Sequence, residues 1–290
     1  MRRLFLPVAL LGVALAPMSA ADLRMKATTT WAENISRSSS PLDWRDSLIG
    51  EVAVTASLGR QLGSGILARA SAEAAASGSS RYSRLGFATL SATGQLQYKF
   101  GLGPMAPVLQ GEVALARREA RIRGDDGYTT SAGLAFAKRF TETWRARVAG
   151  DWQQHYARRE TFDTHSQRAF GEITWDLNPR WQVTAGYGRQ WMDFVATAGP
   201  VVWAQARAGA FGTAIANYYA TTPTFVTGAF GPGWTSYRVE GEADLWWFEL
   251  SPALTERTSL ALRYDRVLTL NRVNVEYQQD LWTLRLLHAF

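Results

Sequence analysis

From Leu48 to Leu58 the chain alternates. Leu48, Gly50, Val52, Val54, Ala56 and Leu58 hold one parity, and Glu51, Thr55 and Ser57 lie between them. In an extended chain, residues two apart point to the same face, so this run predicts a strand with one apolar and one polar side. The pattern recurs. Leu90, Ala92, Leu96, Tyr98 and Phe100 oppose Ser91, Thr93, Gln95, Gln97 and Lys99. Trp144, Val148 and Trp152 oppose Arg145, Arg147 and Asp151, and Leu260, Leu262 and Tyr264 oppose Arg263 and Asp265. The last run sets Trp282, Leu284, Leu286 and Phe290 against Thr283 and Arg285. Read along the whole chain, the alternation predicts twelve strands, at about 23–36, 47–59, 64–76, 85–100, 108–122, 128–141, 144–157, 167–177, 181–194, 236–250, 259–268 and 274–290.

A soluble sheet alternates too, but three features favour a membrane. The apolar runs are about 9–11 residues long, enough to cross a bilayer at a tilt. Aromatic residues sit at run ends: Tyr98, Phe100, Phe140, Trp144, Trp175 and Trp181. Connections alternate between short turns such as "DLNPRW" and longer polar loops such as "SRSSSPLDWRDS". Short turns on one side and longer loops on the other are expected of a bacterial outer-membrane barrel, with an even strand count and both termini in the periplasm. The first residues, "MRRLFLPVALLGVALAPMSA", join a basic start, an apolar core and a small-x-small site, and residues 1–21 are expected to be a secretory signal peptide.

On these residues the chain resembles bacterial outer-membrane β-barrel proteins, in the porin-like channel superfamily. The resemblance implies an all-β, antiparallel up-and-down transmembrane barrel over residues 22–290, in a Gram-negative bacterium. Phe290, with Leu286, Leu284 and Trp282 behind it, resembles the C-terminal signature read by the barrel-assembly machinery; His288 departs from that pattern. "WAENISR" resembles the first strand and loop of several barrel families, including surface lipoprotein assembly modifiers. The other partners implied are outer-membrane lipids and lipopolysaccharide.

Residues 195–235 do not fit the alternation cleanly. Small residues dominate, and "AQARAGAF" alternates over a short span. One long loop folding over or into the mouth is expected here, with an extra strand pair, and fourteen strands, as the alternative. The aromatic Trp203, Phe211, Tyr218 and Tyr219 speak against disorder.

If the apolar face meets lipid, the polar face lines the lumen. Candidate lumen-lining residues are Arg24, Lys26, Glu112, Arg145, Arg147, Asp151, Glu172, Glu240, Glu242, Asp244, Arg263, Asp265 and Arg285. An Arg or Lys on the lipid side at the midplane would cost about 2–4 kcal/mol. Two readings of this set stand side by side: pairing across strands that fills a narrow lumen, or separated basic and acidic walls that orient a polar solute. The function expected is a narrow porin-like channel for small polar solutes, the alternative a surface adhesin or structural anchor with a filled lumen.

Catalytic constellations are sparse. The three histidines are His155, His165 and His288, and none has a serine of its own parity close by. "FDTHS" and "RGDDGY" bring Asp163, His165, Asp125 and Asp126 into neighbouring loops, which resembles omptin proteases; the Asp pair is adjacent here rather than spaced by one. Asp-Asp-Gly is also ordinary turn chemistry. No catalytic, cofactor or metal residue is therefore assigned. The chain has no cysteine, and its formal charge of +6 is scattered, which does not favour a nucleic-acid partner.

Overall fold

The computed structural model describes residues 22–209 and 212–290; the expected signal peptide at 1–21 lies outside them. Nine strands lead into the main crossover: β1 (Asp22–Ala32), β2 (Ser47–Gly63), β3 (Ile66–Ser79), β4 (Phe87–Lys99), β5 (Val108–Ala120), β6 (Gly127–Arg139), β7 (Trp144–Ala157), β8 (Thr164–Asn178) and β9 (Trp181–Ala198). Two short helices follow, α1 (Pro200–Arg207) and α2 (Thr213–Thr221), then a three-residue strand β10 (Thr224–Val226). The chain finishes with β11 (Thr235–Pro252), β12 (Thr258–Asn271) and β13 (Glu276–Ala289). Every sequential neighbour in the wall pairs antiparallel, β9 pairs with β11, and β13 returns to β1. The result is a closed barrel of 12 strands, with β10 added beside the rim of β11. Closure leaves the wall no free edge in the bilayer, where an unpaired backbone group has no water to bond.

All twelve predicted strands are present. The fourteen-strand alternative is set aside: "AQARAGAF" is not a strand pair, since its first four residues complete α1. Four alternating residues are too few to separate strand from helix, and Pro200 at the first helical turn favours the helix. The long segment instead covers one end of the barrel. Its helices pack on Phe194, Ala196, Ala198, Tyr237, Val239 and Tyr277, which project inward from β9, β11 and β13. Small Ala side chains at 196, 198 and 206 let backbone approach backbone there.

Register and exposure fix the faces. Leu48, Val52, Leu90, Leu96, Val113, Leu134, Val148, Ile173, Leu262 and Leu284 are all exposed, as lipid-facing residues are in the isolated molecule. Aromatics form two bands on this outer surface. One lies near the short turns, with Tyr98, Phe100, Phe140, Trp144, Trp175, Trp181 and Phe290; Trp144 and Trp175 stack at 5.3 Å. The other lies nearer the loops, with Tyr128, Trp152, Tyr156, Trp191 and Trp282. Girdles flanking an apolar band are the outer-membrane arrangement.

Candidate functional site in the barrel lumen

Directly paired residues of adjacent strands share a face, so the register carries the inside from strand to strand. From Lys26 beside Ala53, and Thr28 beside Glu51, it places Arg24, Lys26, Glu112, Arg145, Arg147, Asp151, Glu172, Arg263, Asp265 and Arg285 on the inner face. Most find a partner across a strand. Lys26 meets Glu51 at 2.9 Å, Arg168 meets Asp151 at 2.7 Å, Arg147 meets Glu172 at 3.3 Å and Arg139 meets Asp176 at 3.0 Å. Arg263 bonds Asp265 at 2.5 Å, and Glu249 lies between Arg263 and Arg285 at 3.9 and 3.6 Å. The basic and acidic groups thus interleave around the wall rather than separating into two walls.

Three of the predicted lumen residues lie elsewhere. Glu240, Glu242 and Asp244 share the parity of Trp246 and Phe248, which are exposed on the outer wall, and β11 runs in unbroken register with β9 from Thr235 to Pro252. Their partners are outer-face groups: Arg272 for Glu240, Arg189 for Glu242, and the Tyr187 hydroxyl, which donates to Asp244 at 2.7 Å. The alternation misleads because Val239, Gly241, Ala243, Leu245 and Trp247 are all apolar, and yet they face inward. Tyr237 and Val239 support the covering segment, and Trp247 projects into the lumen. The same strand hides an inward carboxylate, Glu249, which the pattern of aromatics around it conceals.

Mid-barrel, aromatic and basic side chains interlock. Phe170 and Trp247 meet edge to face at 5.8 Å, the guanidiniums of Arg147 and Arg168 lie over Phe170, and that of Arg263 lies over Trp247. Gly186 faces Trp247 across the β9–β11 pair, and any Cβ there would run into the indole. The sequence assigns aromatics to lipid, so this inner cluster carried no signal beyond the opposite parity of Trp246 and Trp247.

Above this cluster, at the loop end, is a cavity of about 680 Å³. Its walls mix apolar residues (Ile49, Phe87, Met192, Leu245, Val267, Leu281) with Ser77, Thr129, Gln153, Ser166 and Gln190. Residues 33–46 fold over it and bring Arg37 to its lining. This loop is tied down on both sides of Arg37. Asn34 donates to the carbonyls of Ser38 and Gln278, both at 2.9 Å, and Ser36 donates to Asn34 Oδ1 and to the carbonyl of Asp43, both at 2.8 Å. Thr197 donates from its backbone N–H and its hydroxyl to the Ser36 carbonyl. Buried Asp43 accepts the N–H of Gly199 at 2.6 Å, fastening the start of α1 to the same loop. Arg37 itself has φ of 48°, in the left-handed region that a non-glycine residue seldom adopts. Enclosure by the barrel, and then the neighbouring Arg118, hold its guanidinium below its ordinary pKa. The side chain still presents accessible surface, and that surface faces the void.

The omptin-like residues are not assembled as a site. Asp126 accepts the N–H of Ala120 at 2.8 Å, and Asp163 accepts the N–H of Ala157 at 2.5 Å, so both close their own loops. Asp125 points inward to Arg118 at 2.8 Å and to His155 at 3.3 Å, whereas His165 lies on the opposite, outer face. His155 bonds Thr129 at 2.9 Å, and His288 bonds Thr258 at 2.9 Å on the outer wall. Among the described residues no group of three or more potential ligands could hold a metal ion.

A closed twelve-strand wall with an apolar belt, two aromatic girdles and a charged interior defines a bacterial outer-membrane β-barrel. Comparison with solved structures agrees. An outer-membrane channel from Pseudomonas putida F1 superimposes with a TM-score of 0.57 at 14% identity, over 95% of this chain and 97% of that one. The NanC porin gives 0.46 at 7% identity, covering 90% and 98%, and the outer-membrane channel DcaP of Acinetobacter baumannii gives 0.44 at 9%, covering 93% and 96%. At these identities the likeness concerns the fold. No family model and no curated protein sequence matches the chain.

Proposed function

We propose that this protein is a narrow channel for small polar solutes in the outer membrane, with its short turns and both termini in the periplasm and its loops outside. The observation that carries the reading is the lumen: a wall of interleaved charges leading to a cavity of about 680 Å³ beneath the loops. Paired charges keep water inside a barrel without giving it a strong field, and the inward Trp247 narrows the path to small molecules. The last strand, ending in Phe290, would be the segment offered to the assembly machinery, and outer-membrane lipids and lipopolysaccharide would surround the belt. Planar-bilayer recording of the folded protein tests the channel. Stable small-conductance steps are expected, with a larger step in Trp247→Ala; folded protein that carries no current in either form would overturn it. A structural anchor is the second reading, favoured by the Trp247–Phe170 cluster and by the covering helices, and that silent outcome is the one it expects.

A further inference from the structure

Most cations along the lumen have a carboxylate partner, and Arg37 at the loop end is one that has none. Among the described residues its side chain has no carboxylate and no hydrogen-bond acceptor. Arg118 is matched by Asp125 at 2.8 Å, and Arg84 donates to the Thr227 carbonyl at 3.0 Å. These three guanidiniums all border the loop-end cavity. The acids on its lining are Asp125, already paired with Arg118, and Asp193, whose charged neighbours Arg238, Glu240 and His165 lie on the outer face. The cavity is therefore net basic. Chance does not hold Arg37 there: four buried hydrogen-bonding side chains (Asn34, Ser36, Ser38 and Asp43) fix the loop around it, and the backbone adopts a left-handed turn at that residue. Strain that the surroundings over-determine is typical of binding positions. An unpaired guanidinium lining a cavity is a strong donor fork for a planar anion such as a carboxylate.

The rest of the lining decides what the anion is attached to. Ile49, Phe87, Met192, Leu245, Val267 and Leu281 face the same space as Arg37. A cavity of this size accommodates a small organic molecule with room for an apolar body.

We propose that the loop-end cavity is a binding site for small organic carboxylates with an apolar body, and that Arg37 is the residue that captures the carboxylate. This rests on the channel reading for its role in transport, but the binding does not depend on current. Arg69, Lys99 and Arg145, inward cations near the short turns without a carboxylate partner among the described residues, would continue a basic route toward the other end.

Calorimetry on the folded, detergent-solubilised barrel tests the site with hexanoate as probe, and with hexanamide and hexylammonium as neutral and cationic counterparts. Hexanoate should bind and its counterparts should not. Arg37→Gln should weaken hexanoate binding by about tenfold or more, the loss of one charge-assisted contact, and Arg37→Lys should retain part of it. Arg189→Gln, on the outer wall and away from the lumen, should leave it unchanged. Heat-modifiable gel mobility certifies that each variant is folded. Equal hexanoate binding by wild type and Arg37→Gln, no hexanoate binding at all, or equally good binding of hexylammonium overturns the proposal. In bilayers, hexanoate should block the current of wild type and not of Arg37→Gln. A barrel that binds hexanoate through Arg37 but carries no current upholds the site and overturns the channel.

Discussion

Single carboxylates organise the loops. Asp126 and Asp163 stand in unrelated loops, yet each accepts the backbone N–H of the residue six positions earlier, at the end of the preceding strand. Each follows a one-turn 3-10 helix, Arg123–Asp125 or Glu160–Phe162, so the chain reverses in the same way twice. "RGDD" and "ETFD" resemble catalytic spacing because both place an acid after a tight turn, and the geometry assigns that acid to the turn. Replacing Asp163 by Ala should cost that loop about 1–2 kcal/mol, the usual loss on removing a capping oxygen. Faster hydrogen exchange at 157–164 with an intact barrel is the expected reading; unchanged exchange would show that the bond contributes little. Asp43 acts over a longer range, binding the start of α1. Asp43→Ala should make residues 199–222 sensitive to protease in the folded barrel, and resistance equal to wild type would contradict this. Tyr219 of α2 adds a pH dependence. Burial raises its pKa, so its stabilising contribution is full below the unfolded value near 10 and is lost as pH rises beyond it. Protease release of the covering segment should therefore increase above about pH 10.

At the level of the strand, legibility depends on what lies against each face. In β2, β4, β5, β6 and β7 one side is the apolar outer belt and the other a lumen face of small, polar and charged residues, so the residues alternate plainly and the strands could be read directly. In β9 and β11 the inner side is also packed, against the covering helices near one end and against Phe170 in the middle. Alternation then reports two kinds of apolar surface, and Glu240, Glu242 and Asp244 were read to the wrong side. The parity of Trp246, Phe248 and Leu250 held the right answer, because a strand without a bulge cannot exchange faces. Arg37 was not legible at all: nothing in "NISRSSSP" shows that Asn34, Ser36 and Ser38 would turn inward and fix the arginine between them. Gly186 makes the packed middle testable. Gly186→Ala should lower the yield of heat-modifiable barrel, and adding Trp247→Ala should restore it. Failure of the second change to rescue would mean that Gly186 is needed for its backbone rather than for the space it leaves.

For the whole molecule, the wall separates two sets of charges with different audiences. Neutralising Glu240, Glu242 and Asp244 together should leave ion preference in a bilayer unchanged, because they face away from the lumen. Neutralising Glu249, between Arg263 and Arg285, should shift preference toward anions. A selectivity change from the triple variant would return those carboxylates to the inside and contradict the register of β11.

The length of the two strands beside the covering segment has a further consequence. β9 and β11 each run for 18 residues, whereas the apolar belt of such barrels is about 25 Å tall. At about 3.4 Å per residue and a tilt near 40°, 18 residues rise roughly 45 Å. With the loops outward as proposed, this side of the barrel stands roughly 20 Å clear of the hydrocarbon. Glu240 and Glu242, with Arg189 and Arg272, then form a collar among the phosphates and sugars of the surface polysaccharide. The entrance becomes a raised chimney on one flank, open to antibodies or phage on cells with short sugar chains and shaded on cells with long ones.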